Sequence, residues 1–298
     1  MAKKETLWRA LITACGLFII LLTLSIGAFL LYRGIGTFTI YHHSVAEFLF
    51  SSDWNPADDF KGGGQVGAAI FIVGSIAICS LALLIATPFA VAAAIFMAVI
   101  SPKISAKIVQ PAVEIFVGIP SVVYGWVGLT VLVPAIEKVF RLQYGYSVLA
   151  GGIVLAVMIF PSIASVSADS IRNVPREYSE AAYGLGSTRW QVISRVLLPA
   201  ARPGILTGII LGLARAFGEA LAVAMVIGKM KAFPSSLLSP TNNLTAAIAS
   251  DMGGATEGGE YNTALWTMAF FLLLISFAFI LIVRRISAGK KEKASAKG

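Results

Sequence analysis

The sequence predicts an all-α integral membrane protein with six transmembrane helices. Of its 298 residues, 57% are hydrophobic and only 13% are charged, against about 25% charged in an ordinary soluble domain. That balance excludes a soluble enzyme or a disordered regulator, because neither can present so little polar surface to water. Six apolar runs reach the length of roughly 20 residues that a helix needs to cross a hydrocarbon core of about 30 Å. They are expected to be helices, since lipid satisfies no backbone hydrogen bond and a helix satisfies its own. The ten-residue alternation of an outer-membrane barrel is missing.

The first run is Leu11–Leu31. Lys3, Lys4 and Arg9 precede it as they would a signal peptide. Its length exceeds an h-region of about 7–15 residues and no A-x-A site follows, so it is read as a retained helix. The second run, Val66–Ile100, is longer than a bilayer needs, and Pro88 is expected to kink it or mark where it leaves the lipid. Ile108–Val133, Tyr146–Ala168, Pro203–Gly228 and Asn262–Val283 complete the six.

Orientation follows from the basic residues. Sixteen Lys and Arg fall on the side of the termini, and six fall on the other side. The positive-inside rule places the richer side, with both termini, in the cytoplasm of a cell bounded by this plasma (inner) membrane. The net charge of +8 is therefore a topology signal toward the lipid bilayer and not a nucleic-acid footprint. Two external loops, residues 32–65 and 229–261, hold glycine clusters and acids such as Asp58, Glu257 and Glu260. Their composition favours plain connectors over a landing surface for an external partner. Cys15 and Cys79 lie in apolar runs, and His42 and His43 have no ligand set nearby and read as surface residues. No metal site is expected. The chain divides into an N-terminal helix and loop (1–65), a main membrane domain (66–285) and a basic tail (286–298).

The loop between spans four and five has the strongest local pattern. Pro175 opens a helix whose first turns carry Glu177 and Glu180, suited to the positive end of the helix dipole. Gly184 and Gly186 stop it, and Ser187 or Thr188 can cap a second helix holding Trp190, Val192, Ile193, Val196 and Leu197. Pro199 and Pro203 are expected to close that helix before span five. Tyr183, Leu185 and Trp190 at the turn point to a protein contact. Glu180-Ala181-Ala182, then Gly186, then Val196-Leu197-Leu198-Pro199 resembles the EAA loop of binding-protein-dependent ABC importer permeases, with Val196 where that family usually has Ile.

The resemblance implies an importer-type (MetI-like) permease core preceded by one extra helix. It also implies that Glu180, Ala181, Ala182, Gly186, Leu198 and Pro199 belong to a loop docking on a separate ATP-hydrolysing subunit. No G-x-x-x-x-G-K-[ST] occurs in the chain, so ATP and Mg are expected on that partner and no cofactor or catalytic residue on this chain.

Span five carries Arg215 and Glu219 at i and i+4, which in a continuous helix face one side. An ion at mid-membrane costs at least about 2.5–3.5 kcal/mol and usually faces a bundle interior or an aqueous path. Physics alone leaves two readings even: a self-neutralising tie between helices, or a guanidinium offered to a tetrahedral oxyanion by its two-pronged fork. The run Ala214–Met225, the segment Gly118–Gly125 and Leu244–Ala249 resemble phosphate importer permeases of the PstC type. Ala220-Leu221-Ala222 stands where the partner PstA type usually has Thr-Ala-Pro. Lys229, where small polar residues are usual, is a second departure.

That resemblance implies a substrate path at Arg215 and Glu219 and inorganic phosphate as substrate. The implied partners are a second, PstA-type permease, two ATP-binding subunits and an extracytoplasmic phosphate-binding protein. The rivals are a permease for molybdate or sulfate and an ion-coupled secondary transporter; a membrane enzyme would need a catalytic cluster. Glu114 and Asp169 rank below Arg215 and Glu219, with Asp169 expected to pair with Arg172. Ser121, Ser162, Ser165 and Ser167 are expected mainly to bond back to their own helices. Pro111, Pro120 and Pro161 free carbonyls inside the bundle.

Overall fold

The computed structural model describes residues 2–295, with side chains from 8 to 285. The side chains of the basic tail lie outside the described residues. The helices run in the order α1 (Ala2–Gly34), α2 (Gly36–Thr39), α3 (Val45–Phe50), α4 (Ala69–Ile95), α5 (Pro102–Ile104), α6 (Gln110–Gly118), α7 (Ser121–Val127) and α8 (Val133–Phe140). They continue with α9 (Val148–Arg172), α10 (Arg176–Gly184), α11 (Arg189–Val192), α12 (Leu198–Gly218), α13 (Leu221–Val226), α14 (Leu244–Asp251) and α15 (Glu260–Ser295). Wide π turns at Phe96–Ile100, Ser105–Val109, Gly128–Leu132 and Ile193–Leu197 extend or join some of them. Two short strands, β1 (Trp54–Asn55) and β2 (Gln65–Val66), pair antiparallel with Trp54 opposite Val66.

Among the described residues six helices are long and apolar enough to cross a membrane: Trp8–Thr39, Ala69–Ile100, Ser121–Phe140, Val148–Arg172, Arg189–Gly218 and Glu260–Arg285. The chain is a multi-pass membrane protein. Two expected spans differ in outline. Ile108–Val133 is not one helix: it breaks at Ile119-Pro120, where both residues are extended, and the membrane-length segment starts at Ser121. Proline at 120 removes a donor and pushes Ile119 out of the helical region. Pro203–Gly228 is shifted toward the N-terminus. Pro199 and Pro203 do not close a helix; the π turn at Ile193–Leu197 runs into α12, with Pro199 in its first turn and Pro203 inside it. Pro88 also stays within helix α4.

The residues fall into two compact units, one of residues 1–69 with Ser250–Leu274 and one of Ile70–Ala249 with residues from Ile275 onward. The first unit thus takes in part of loop 229–261 as well as the N-terminal segment expected at 1–65. Its long helix α1 is exposed along its apolar length, the pattern of a helix solvated by lipid. Near its end, Thr267 Oγ1 donates to the Gly34 carbonyl (2.6 Å), and Phe48 stacks on Phe271 with centroids 5.3 Å apart.

The loop in this unit is not a plain connector. It closes on Glu260, whose side chain is fully buried. Glu260 Oε2 accepts the Ala57 N–H at 2.6 Å and the Gly64 N–H at 3.0 Å; Oε1 accepts the Gly63 N–H at 3.0 Å. His43 Nε2 lies 2.7 Å from Glu260 Oε1, and its Nδ1 lies 3.3 Å from Glu47. His43 is therefore a buried tie and not the surface residue its neighbours in sequence led us to expect; His42 is exposed. A Cβ at Gly64 would collide with Ala57 N and with the Glu260 carboxylate, so the glycine cluster is what lets the backbone wrap an anion. Tyr41 donates to the Gly258 carbonyl at 2.8 Å. Burial, with the Glu260 and Asp59 carboxylates nearby, pushes its phenol up, so it stays a donor.

In the second unit α9 is the central element. Leu155, Met158, Ile159 and Ile163 are fully buried there, and α12 lies along it. α13 packs on α7, and Phe217 meets Phe279 of α15 at 5.2 Å.

Glu260→Ala leaves three backbone N–H groups and one imidazole without their acceptor. An unsatisfied buried polar group costs about 1–3 kcal/mol, so opening of the loop should become at least about tenfold more frequent. Tryptic cleavage after Lys61 in the detergent-purified protein reads this directly; unchanged cleavage would show that the carboxylate does not hold the loop.

Candidate functional site

Helix α12 ends at Gly218, and Glu219 is extended (φ −79°, ψ 118°) before α13 begins at Leu221. The i, i+4 spacing does not make Arg215 and Glu219 a pair: each side chain takes a different partner. Among the described residues no ion pair joins them. Arg215, half-buried, reaches Ser162 Oγ on α9 at 3.4 Å. Glu219 instead turns its carboxylate to the N-terminal end of α13, where Oε1 accepts the Ala222 N–H at 3.0 Å. Glycine at 218 weakens the helix, and the carboxylate supplies a donor-hungry alternative to it.

The freed Glu219 carbonyl is met by another segment. Thr245 Oγ1 donates to it at 2.8 Å, and Asn243 Nδ2 donates to Thr245 Oγ1 at 2.9 Å. Leu244 N donates to Ser75 Oγ of α4 at 3.0 Å. Thr241 to Ala247 are all buried. This part of loop 229–261 is thus a packed insertion, contrary to the connector that composition favoured. Small residues and a polar Thr-x-Asn-x-Thr string permit it: each side chain finds a partner close by.

The break in the third apolar run is mended in the same way. Pro120 has no N–H to give the Phe116 carbonyl four residues earlier, and Tyr124 Oη donates to that carbonyl at 2.7 Å. Tyr124 is also within electrostatic range of Arg215. A cavity of about 440 Å³ lies beside this break, lined by apolar groups including Phe116, Ile119, Val123 and Val127, and Arg215 is not among its lining residues.

The loop between α9 and α12 follows the sequence closely. Leu185 ends α10, Gly186 takes φ +80°, Gly186 N bonds Tyr183 O (2.9 Å) and Ser187 N bonds Ala182 O (3.1 Å). That is a Schellman turn, in which the left-handed residue is normally glycine. Thr188, not Ser187, caps α11 through a box with Gln191. Glu180, Ala181 and Gly186 are exposed, Ala182 is buried, Leu198 is half-buried and Pro199 is exposed. Tyr183, Leu185 (88% exposed) and Trp190 project outward from one turn.

Asp169 pairs with Arg172 at 3.2 Å as expected, and Glu114 accepts from Gln110 at 3.3 Å. They share a polar cavity of about 200 Å³ with Met97 and Ser165. Ser167 Oγ is buried without a partner. Among the described residues no cluster of His, Cys, Asp and Glu suits a metal ion. Sequence reasoning passed over Thr245, Tyr124 and Arg189. The spacing Phe116–Pro120–Tyr124 was the available signal for Tyr124: a donor one turn after a proline.

Thr245→Val keeps the shape and removes the hydroxyl that holds Glu219's carbonyl. Hydrogen bonds inside membrane proteins are worth about 0.6 kcal/mol and at most roughly 1.7. The expected loss is of that size in unfolding of the detergent-purified chain, with Thr245→Ser near wild type. Equal stability of all three would show that the turn does not depend on this bond.

Comparison with known proteins places this geometry. The sequence profile described as "Binding-protein-dependent transport system inner membrane component" matches residues 90–292. A "Probable ABC transporter permease protein YqgH" from Bacillus subtilis (strain 168) is 46% identical over 287 residues, 96% of this chain and 92% of the relative. "Phosphate transport system permease protein PstC" from Xylella fastidiosa (strain 9a5c) is 34% identical over 302 residues, 95% of this chain and 90% of the relative. Among solved structures, a bacterial alginate ABC transporter has a chain similar at TM-score 0.58 and 18% identity, covering 94% of this chain and 98% of that one. The inward-facing MetNI methionine ABC transporter is similar at TM-score 0.57 and 19% identity, covering 72% and 92%. The fold is thus of the MetI-like type, and the chain belongs to the binding-protein-dependent transport system inner membrane component family, as an ABC transporter permease.

Proposed function

We propose that this permease carries inorganic phosphate into the cytoplasm, as the PstC-type subunit of an ATP-driven importer in the plasma (inner) membrane. The observation that carries the reading is the likeness to a phosphate permease over 95% of the chain, together with an arginine in the fifth span beside a broken helix. Both termini are cytoplasmic on the Lys/Arg balance. The partners are a PstA-type permease, two ATP-binding subunits that hold ATP and Mg, and an extracytoplasmic phosphate-binding protein. No bond is made or broken on this chain.

In this reading Arg215 offers its planar fork to the phosphate oxygens, where a lysine would offer a point charge. Glu219 is already engaged with Ala222, so it sets the shape of the turn and places a negative charge near the path. Its repulsion keeps a bound anion from being trapped. ATP-driven closure of the ATPases displaces the loop at 176–199, and alternating access follows as a rigid-body change between inward- and outward-open states. Exposed Tyr183, Leu185 and Trp190 supply the apolar contact, and Gly186 fixes the angle between the two short helices.

Two expected outcomes test this. Arg215→Gln removes charge-assisted hydrogen bonds of about 1.5–3 kcal/mol, so phosphate uptake in proteoliposomes holding the full complex should fall by roughly ten- to a hundredfold. Arg215→Lys should be intermediate and Glu219→Gln milder, since glutamine can still accept from Ala222. Wild-type flux in Arg215→Gln would remove the anion-path role, and sulfate or molybdate flux exceeding phosphate flux in the wild type would favour another oxyanion. Separately, Gly186→Trp forces a side chain into a left-handed position and should abolish uptake with the spans still inserted. Normal uptake by that variant, with the ATPase co-purifying, would remove the coupling role of the loop.

A further inference from the structure

At the end of helix α4 and its π turn, Ser101 N–H serves Phe96 O at 3.0 Å, and the regular helical ladder stops there. Pro102, two residues beyond Ile100, has no N–H, and Ser101 takes a non-helical conformation (φ −143°, ψ 70°). The last carbonyls of a helix form its negative end, where a cation is favourable. Arg189, the first residue of α11, provides one from the neighbouring loop: its Nη2 donates to Val99 O at 2.9 Å and to Ile100 O at 3.1 Å. Arg172 at the end of α9 reaches Met97 O at 3.5 Å while held by Asp169. The second span is thus gripped at one end by a residue of the two-helix loop.

The other end of α4 also carries a contact. Ser75 Oγ accepts from Leu244 N, and the adjacent Thr245 holds the Glu219 carbonyl. One helix therefore has the loop clasped at one end and the turn of the broken fifth span pinned at the other. A displacement of α11 has a covalent route to Arg215, through the continuous helix into α12, and a second route to Glu219, through α4. If only the covalent route moved, α12 would slide against a stationary pin at Glu219. With both routes driven together, the two ends of the turn move in concert.

From this geometry we infer that Arg189 is a positioning residue for transport: its clasp on Val99 and Ile100 transmits motion of the loop at 176–199 to the second span and so to the turn at Glu219. The inference rests on the reading of that loop as the ATPase contact. The charge matters as well as the donors, because two carbonyls at a helix terminus share one guanidinium nitrogen.

The test is the ratio of phosphate transported to ATP hydrolysed, in proteoliposomes holding the complete complex and excess binding protein. Arg189→Ala should retain the ATPase subunits and hydrolyse ATP, with the ratio falling by about tenfold, the scale of a lost charge-assisted bond. Arg189→Lys should recover a substantial part, because the cation can still reach the carbonyls. A residue that only stabilises the fold lowers the amount of assembled complex and leaves the ratio unchanged; that result overturns the inference. Should Arg189→Ala fail to assemble, Arg189→Gln, which keeps length and a donor without charge, is read in the same way. Loss of ATPase binding in both variants would make Arg189 part of the docking contact and would also overturn the clasp. The two readings separate cleanly. If Gly186→Trp is inactive while Arg189→Ala transports with the wild-type ratio, the loop couples and the clasp does not. If Gly186→Trp transports normally, the loop reading itself fails.

Discussion

A main-chain break at membrane depth has to find hydrogen-bond partners within the protein, because lipid supplies none. That constraint organises the second unit of this chain. The third apolar run breaks at Pro120, and Tyr124 supplies the donor that proline lacks. The fifth breaks after Gly218; Glu219's carboxylate takes the Ala222 N–H, and Thr245 serves Glu219's carbonyl. Each repair needs a side chain from a fixed distance along the chain or from another element. The breaks are therefore built in, and the fifth span carries, just before its break, Arg215, a charge that is costly within a span unless it faces a polar path.

The same logic explains why a long loop carries so much buried polar sequence. Thr241 through Ala247 enter the second unit because the Glu219 turn and Ser75 need what they offer. In the first unit, Glu260 gathers three backbone N–H groups and His43. In both cases a polar atom left over by the helices draws in a loop that composition alone presents as solvated. In the proposed transport cycle the long helices are the bodies that move, and these short hydrogen-bonded junctions set how they move relative to one another.

What was legible in the sequence followed from local chemistry. Six apolar runs announced six spans, since hydrophobic length is a property of a contiguous stretch. The loop at 176–199 was legible down to its caps because glycine at φ +80° and a Thr-x-x-Gln box are fixed by neighbouring residues. The errors share a cause. Arg215 and Glu219 do not pair with each other because each finds another partner, Ser162 53 residues away and the Ala222 N–H. His43 looked like a surface residue because its partner Glu260 is 217 residues distant. Pro199 and Pro203 seemed to end a helix, yet the helix carries both: Pro199 follows directly on a π turn and Pro203 lies inside α12.

The central claim is that the break in the fifth span opens onto the route taken by phosphate. Gly218 is the place to probe it, since a Cβ there meets nothing within 4 Å. With Cys15 and Cys79 replaced by serine and alanine, Gly218→Cys in the assembled complex should react with a water-soluble, lipid-impermeant maleimide. Phosphate-loaded binding protein with ATP should slow that reaction, whereas sulfate should leave it unchanged. A thiol at 218 that stays unreactive through the ATP cycle, or one whose reaction is indifferent to phosphate, would contradict the account.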